Sequence, residues 1–280
     1  MADASRTKFG GAASGSKIDL AAPAVAFRGG GFHYIPRRAI AWIAFAVVIA
    51  LWQLMSSLGW ISQLSLPSPC AIAVALYDLT VSGKLFVHIG ASLSRIAIGW
   101  LLGTLVGLTV GLAMGIFSTA RSLGLPFVSA LFPIPKIALL PLLIVWFGIG
   151  EPSKVAVIAF GVFFPTVISA YTACDNVPRN LIRMGQSFNL PGYAIVRSIV
   201  IPGAMPGILS GFRISASIAL ILVVAAEMIA AQEGIGSFVL SAGNLMQTDQ
   251  LLAGVVVLSV LGLLIAFLLG RIEAWVLRWR

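Results

Sequence analysis

Several stretches of this chain approach or exceed the ~20 apolar residues that a helix needs to cross the hydrocarbon core of a bilayer. No other feature narrows the fold as far. Lipid offers no partners to backbone N–H and C=O groups, so such a run must satisfy them internally, as a helix. Charged residues make up only 10% of the 280 positions, and the mean hydropathy is +1.04. A soluble domain carries about a quarter charged residues. The sequence therefore predicts an all-α, polytopic membrane protein.

Six transmembrane helices are predicted, over about Ala39–Leu58, Ile89–Phe117, Leu125–Ile149, Lys154–Tyr171, Gly207–Ala231 and Leu251–Leu269. Residues 1–35, rich in Gly, Ala and Ser without an apolar core, read as a flexible tail preceding a membrane domain over 36–280. Between the first two spans, Ser68 suits an N-cap, Pro69 a first helical position and Gly83 a stop, which predicts a short interfacial helix. Six spans put both termini on one side. Placing that side in the cytoplasm gathers Arg37, Arg38, Arg121, Arg179, Arg183, Arg197, Arg271, Arg278 and Arg280 there. Lys84, Lys154, Asp78, Glu151, Glu233 and Asp249 then fall outside, in keeping with the positive-inside bias. The net charge of +9 thus reads as topology, and nucleic acid binding is excluded. Cys70 and Cys174 fall on opposite faces, so no disulfide joins them.

In the second span Gly99, Gly103, Gly107, Gly111 and Gly115 recur at every fourth residue. Small residues at this spacing let helices approach closely in lipid. A turn takes 3.6 residues, so the row winds around the helix and is expected to serve more than one neighbour. The third span holds Pro126, Pro133, Pro135 and Pro141, which predicts a broken or kinked helix. Irregular backbone at that depth is tolerated only in protein or beside a cavity.

Ionisable groups within spans are expensive and mark function. Arg95, Lys136, Arg213 and Glu227 are the candidates. Arg95 lies one turn before the glycine row, so it points towards protein, and Arg95 and Glu227 fall at similar depth. They are expected to form an ion pair, to line a translocation path, or both. Lys136 either snorkels to the cytoplasmic interface or faces the path and attracts anions. Arg213 is expected to snorkel. His33 and His88 lie far apart, and no metal cluster, phosphate loop or catalytic arrangement is found.

The polar loop from Cys174 to Met205 is the foremost functional candidate. Pro178 opens a short helix through Asn189, Leu190-Pro191-Gly192 breaks it, and a second piece, Tyr193–Ile201, ends at Pro202. Such a broken helical knob presents itself to a partner or rests on headgroups, and physics alone does not separate the two.

The stretches SLSRIAIGWLLGTLVGLTVGL, FPIPKIALLPLLIVWFGIGEPSKV and IPGAMPGILSGFRISASIALILVVAAEMIAAQEGIGSFV resemble permeases of the nitrate, sulfonate, taurine and bicarbonate group of ABC importers. The resemblance covers about Ala39 to Arg280. It implies a type I importer permease fold in a bacterial inner membrane, paired as a homodimer. It further implies a cytoplasmic ATPase dimer, which binds the ATP and Mg2+, and an extracytoplasmic solute-binding protein, with no cofactor and no enzyme activity in this chain. A small anion such as a sulfonate, taurine or nitrate is the implied solute.

By the same resemblance the Cys174–Met205 loop couples to the ATPase. The family's Glu-Ala-Ala positions hold Arg183, Met184 and Gly185 here, its glycine is Asn189, and its closing leucine–proline is Ile201-Pro202. Asn189 tolerates left-handed backbone, so the shape of the loop is expected to persist. Met184, Phe188 and Leu190 are expected to offer apolar contacts, and Gly185 to permit close approach of the ATPase. The alternative is an ion-coupled secondary transporter working without an ATPase. It needs carboxylates within the spans, and only Glu227 is available.

Overall fold

The structure, a computed structural model, describes residues 38–279. The predicted tail over 1–35, His33, Arg37 and Arg280 lie outside them. In chain order the helices are α1 (Arg38–Ser57), α2 (Pro69–Val81), α3 (Lys84–Ile116), α4 (Ser118–Leu131), a 3-10 turn (Lys136–Leu139) and α5 (Leu140–Phe147). There follow α6 (Glu151–Asp175), α7 (Arg179–Ser187), α8 (Gly192–Ile195), a π-helical turn (Val196–Val200), α9 (Ile201–Ala230), α10 (Ile235–Asn244) and α11 (Thr248–Val276). No strand occurs among the described residues.

The chain divides into two units, 1–48 and 49–280. The described part of the first is the start of α1, with Trp42, Ile43 and Phe45 exposed. The second unit holds the helical bundle.

At its centre α6 packs along α3 from Arg95 to Gly115. A Cβ added at Gly107 would lie 2.8 Å from the Phe163 carbonyl and 2.9 Å from Thr166 Cβ. At Gly99 it would lie 2.7 Å from Ile158, at Gly111 2.7 Å from Ala170, and at Gly115 2.6 Å from Cys174. Gly103 stands against Ala159 and Val162 in the same way. The expectation of more than one neighbour is therefore corrected, because all five glycines face α6. Their partners Ile158, Val162, Thr166, Ala170 and Cys174 also advance by four. Rows at this spacing are inclined to the helix axis, so two helices crossing along them stay in register.

Residue numbers rise together along this interface, so α3 and α6 run parallel. The chain between them must therefore return across the same depth. That return falls to α4 and α5, which are bent by 88° at Phe132–Pro135. They form one broken span. Pro126 is accommodated within α4, Pro133 and Pro135 occupy the break, and Pro141 sits in the first turn of α5.

Helix α9 packs antiparallel on α6, with Gly207 against Ala173 and Gly211 against Ser169 at one end and Leu222 against Gly161 further along. Helix α11 runs antiparallel to α9, with Gly262 beside Leu220 and Gly270 beside Arg213. The end of α11 thus lies at the same end of the bundle as α7. At the opposite end, Ile72, Ala75 and Leu79 of α2 share a core with Ile235, Ala253 and Val257 of α10 and α11. As expected, Ser68 caps α2 by accepting the Ala71 N–H at 3.2 Å, and Gly83 adopts φ +74.

Four of the expected spans are helices long and apolar enough to cross a membrane, and the broken pair makes five. The sixth, α1, is 20 residues long, with an apolar run over Trp42–Ser57. One expectation about the elements is corrected: Pro202 does not end the helix before it. The π turn over Val196–Val200 leads directly into α9, and Pro202 lies in the first turn of α9. A wide turn just upstream makes room for a ring that clashes with a regular helix. Cys174 and Met205, the expected loop ends, are both helical, and the excursion shrinks to the segment around α7.

Candidate functional site

Three groups of residues carry chemistry: a knob at one end of the bundle, a charge cluster at the other, and a lysine at the break in the third span.

The knob is α7 with the turn that follows it. Leu190 N–H returns to the Gly185 carbonyl at 3.1 Å, and Asn189 holds the turn at φ +58. A left-handed residue here closes the helix, and Asn adopts that backbone more readily than most. The inner face of α7 joins an apolar core of Val177, Ile195 and Val200 through Ile182. The outer face leaves Met184 52%, Phe188 75% and Tyr193 74% exposed, with Leu190 beside them and Arg179, Arg183 and Arg197 around them. Gly185 is on the inner face, where a Cβ would lie 3.0 Å from Ile199 and 3.4 Å from Ile195. The expectation that Gly185 permits approach of a partner is corrected: it permits the knob to fold. Pro202, half-buried within α9, is likewise not on the outer face.

At the opposite end Arg95 and Glu227 meet, with Arg95 Nη1 2.7 Å from Glu227 Oε1. Glu227 is fully buried. Its carboxylate also accepts from Ser92 Oγ at 2.8 Å and from the Gly236 N–H at 2.9 Å. Ser92 in turn accepts the Ile235 N–H at 2.9 Å. The guanidinium reaches a second acid, with Nε 2.5 Å and Nη2 2.7 Å from the two oxygens of Glu151, and a carbonyl, that of Glu233, at 2.6 Å. Lys154 donates to Glu151 at 3.0 Å. One arginine thus ties α3, α6, α9 and the turn before α10 together. Gly236 is required there, because a Cβ would lie 3.0 Å from Glu227 Cβ.

Sequence reasoning singled out Arg95 and Glu227 but missed Ser92, Glu151, Lys154 and Gly236. Charge counting placed Glu151 and Lys154 in a loop. Two signals were available: Ser92 lies one turn before Arg95 on the same helix face, and Glu151 and Lys154 share a face at a spacing of three.

Lys136 does not snorkel, which corrects one of its two expected placements. It lies beside Gly161 and Phe164, near the midpoint of α6. Its ammonium donates to the carbonyls of Leu131, Phe132 and Ile134 at 2.8, 2.8 and 2.6 Å. It also stands 4.6 Å from the centroid of the Phe164 ring. These carbonyls lie at and just beyond the C-terminus of α4, where helical donors run out. Arg213, half exposed, reaches towards the end of α11, where its Nη2 pairs with Glu273 at 2.6 Å. Among the described residues, no group of three or more His, Cys, Asp or Glu side chains could hold a metal ion.

Comparison with known proteins agrees with this architecture. The chain is 36% identical to the putative aliphatic sulfonates transport permease protein SsuC of Escherichia coli over 242 residues, 86% of this chain and 92% of the relative. It is 36% identical to the taurine transport system permease protein TauC of the same organism, over 84% of this chain and 87% of the relative. Among solved structures, an inward-facing form of the MetNI methionine ABC transporter matches 70% of this chain and 98% of its own with a TM-score of 0.60, at 20% identity. That likeness supports the type I importer permease fold. Residues 103–279 match the family described as the binding-protein-dependent transport system inner membrane component, and the chain belongs to that family.

Proposed function

We propose that this chain forms, as a homodimer, the translocation path of an importer for a small sulfonate-type anion, and that the knob around α7 receives the ATPase. Membership of the family makes it the membrane subunit of an ABC importer, which associates with an ATPase and a binding protein, and leaves no need for ion coupling. The relatives' names favour sulfonates or taurine over nitrate, which none of the reported names contains. ATP and Mg2+ belong to the partner, and this chain carries no cofactor.

The observation that carries the docking assignment is the exposure of Met184, Phe188 and Tyr193 on a knob ringed by arginines. Large apolar groups presented to water on a rigid, folded turn mark a protein contact. Arg121, Arg179, Arg183, Arg197, Arg271 and Arg278 all lie at this end of the bundle, so it faces the cytoplasm, with both termini there. The solute-binding protein then meets the end formed by α2 and α10.

The test is co-purification of the ATPase with the double variant Met184→Asp, Phe188→Asp. Binding falls at least tenfold while the permease elutes as wild type. Arg183→Glu, which inverts a charge at the rim, weakens binding less. Wild-type levels of ATPase with both variants would remove the knob from the coupling role. Orientation is checked separately by cysteines at Ser82 and Gln247 in a Cys-free background, which should react with an impermeant reagent in intact cells. Reaction only after lysis reverses the topology.

A further inference from the structure

The cations of this bundle are not alike. Arg95 and Lys154 share Glu151, Arg95 also holds Glu227, Arg121 holds Asp175, and Arg213 holds Glu273. Each lies near one end of the bundle and each has a carboxylate. Lys136, at the middle, makes no salt bridge among the described residues, and all three of its hydrogen bonds go to neutral carbonyls. Three acceptors need three N–H donors, which only the charged ammonium has. A full positive charge therefore stands at membrane depth with no counter-charge.

Its surroundings say what it faces. Irregular backbone cannot face lipid at this depth, because unpaired N–H and C=O groups find no partners there. The segment Phe132–Pro135 is nevertheless exposed, as is Ala138 beside it. Either water or another protein surface must cover it. A second copy packed dry against the break would bury an uncompensated charge, and the desolvation cost argues against that. Water in a passage solvates the charge.

We propose that the break between α4 and α5 lines the translocation passage, with Lys136 as a fixed positive charge that draws a sulfonate or similar anion through its narrow middle. The assignment rests on the anion-importer reading above. Because its three donors are held by the carbonyls of Leu131, Phe132 and Ile134, Lys136 attracts the anion through space without gripping it. Passage needs such a site, favourable enough to enter and weak enough to leave. It also distinguishes Lys136 from Arg95, whose charge is cancelled by two acids.

The test reads charge and water access directly, without knowledge of the natural solute. Ala138→Cys is made with Cys70 and Cys174 replaced by Ser, in the full importer in membrane vesicles. Its reaction with a negatively charged sulfonatoethyl thiosulfonate is compared with that of a positively charged trimethylammonioethyl analogue, each scaled to a free thiol. The anionic reagent is expected to react at least tenfold faster, and Lys136→Met to erase that preference while Lys136→Arg keeps it. Should Lys136→Met fail to fold, the wild-type ratio together with Lys136→Arg decides. A thiol that reacts with neither reagent, or equally with both while Lys136 is present, overturns the proposal. In parallel, uptake of labelled butanesulfonate and taurine is measured. A charge preference at Ala138 without uptake of either solute would show that the solute class is wrong and the passage assignment right. Uptake unchanged in a folded Lys136→Met would refute the lysine's role in conduction.

Discussion

Helices α3 and α6 cross the bundle by backbone contact, whereas the segment that joins them crosses by breaking. In the first case five glycines and the row from Ile158 to Cys174 bring the helices so close that no Cβ fits between them. In the second, prolines at 133 and 135 open the backbone, and a lysine supplies the donors that the helix lost. Lipid gives apolar side chains little reason to prefer one another, so association there depends on close packing and internal polar bonds. The welded pair therefore reads as the frame. The broken span, with exposed polar backbone, is the part left free to meet something other than lipid.

Breaking the frame should cost most where its charge is buried. Arg95→Met leaves the fully buried Glu227 carboxylate uncompensated, a loss of about 3–5 kcal/mol. Folded yield and melting temperature in detergent should both drop sharply. Adding Glu227→Leu should recover most of the loss, since replacing a buried ion pair by apolar groups is often neutral. Failure of the second change to restore stability would show that the cluster does more than neutralise one acid.

A smaller loss is expected halfway down the frame. Gly107→Leu forces a side chain against the Phe163 carbonyl and Thr166, and overpacking of this kind costs about 1–3 kcal/mol. A matching substitution at Gly192, where nothing lies within 4 Å of an added Cβ, should be tolerated. Equal melting temperatures for the two variants would contradict the close α3–α6 approach.

The least effect is expected at the end of the bundle that carries α7. Arg121 pairs with Asp175 at 2.8 Å, but the two side chains are 37% and 43% exposed. Water screens such a pair, so Asp175→Asn should leave the melting temperature indistinguishable from wild type. A loss comparable with that of Arg95→Met would mean that both ends of the frame are pinned alike.

Legibility followed the range of the interaction. The short cap at Ser68, the left-handed Asn189 and the break at Pro133 and Pro135 depend on one residue and its immediate neighbours, and all could be read locally. Helix α10 passed unnoticed because its ten residues carry no long apolar run; it is held in place by α9 and α11. Pro202 misled for a similar reason. Proline normally stops a helix, and only the π turn upstream of it, stabilised in the fold, lets α9 continue through.

The sequence by itself determined that this is a helical membrane protein with a glycine-lined packing face, a broken third span and an arginine-rich end. Hydropathy, residue spacing and proline chemistry act along the chain and need no partner to be read. Only the tertiary structure decided that the glycines serve α6 alone, that Gly185 looks inward, and that Arg95 is neutralised by two acids while Lys136 is by none. Each of these depends on which residue from a distant part of the chain arrives within a few ångströms, and spacing along one helix does not encode the identity of its neighbour.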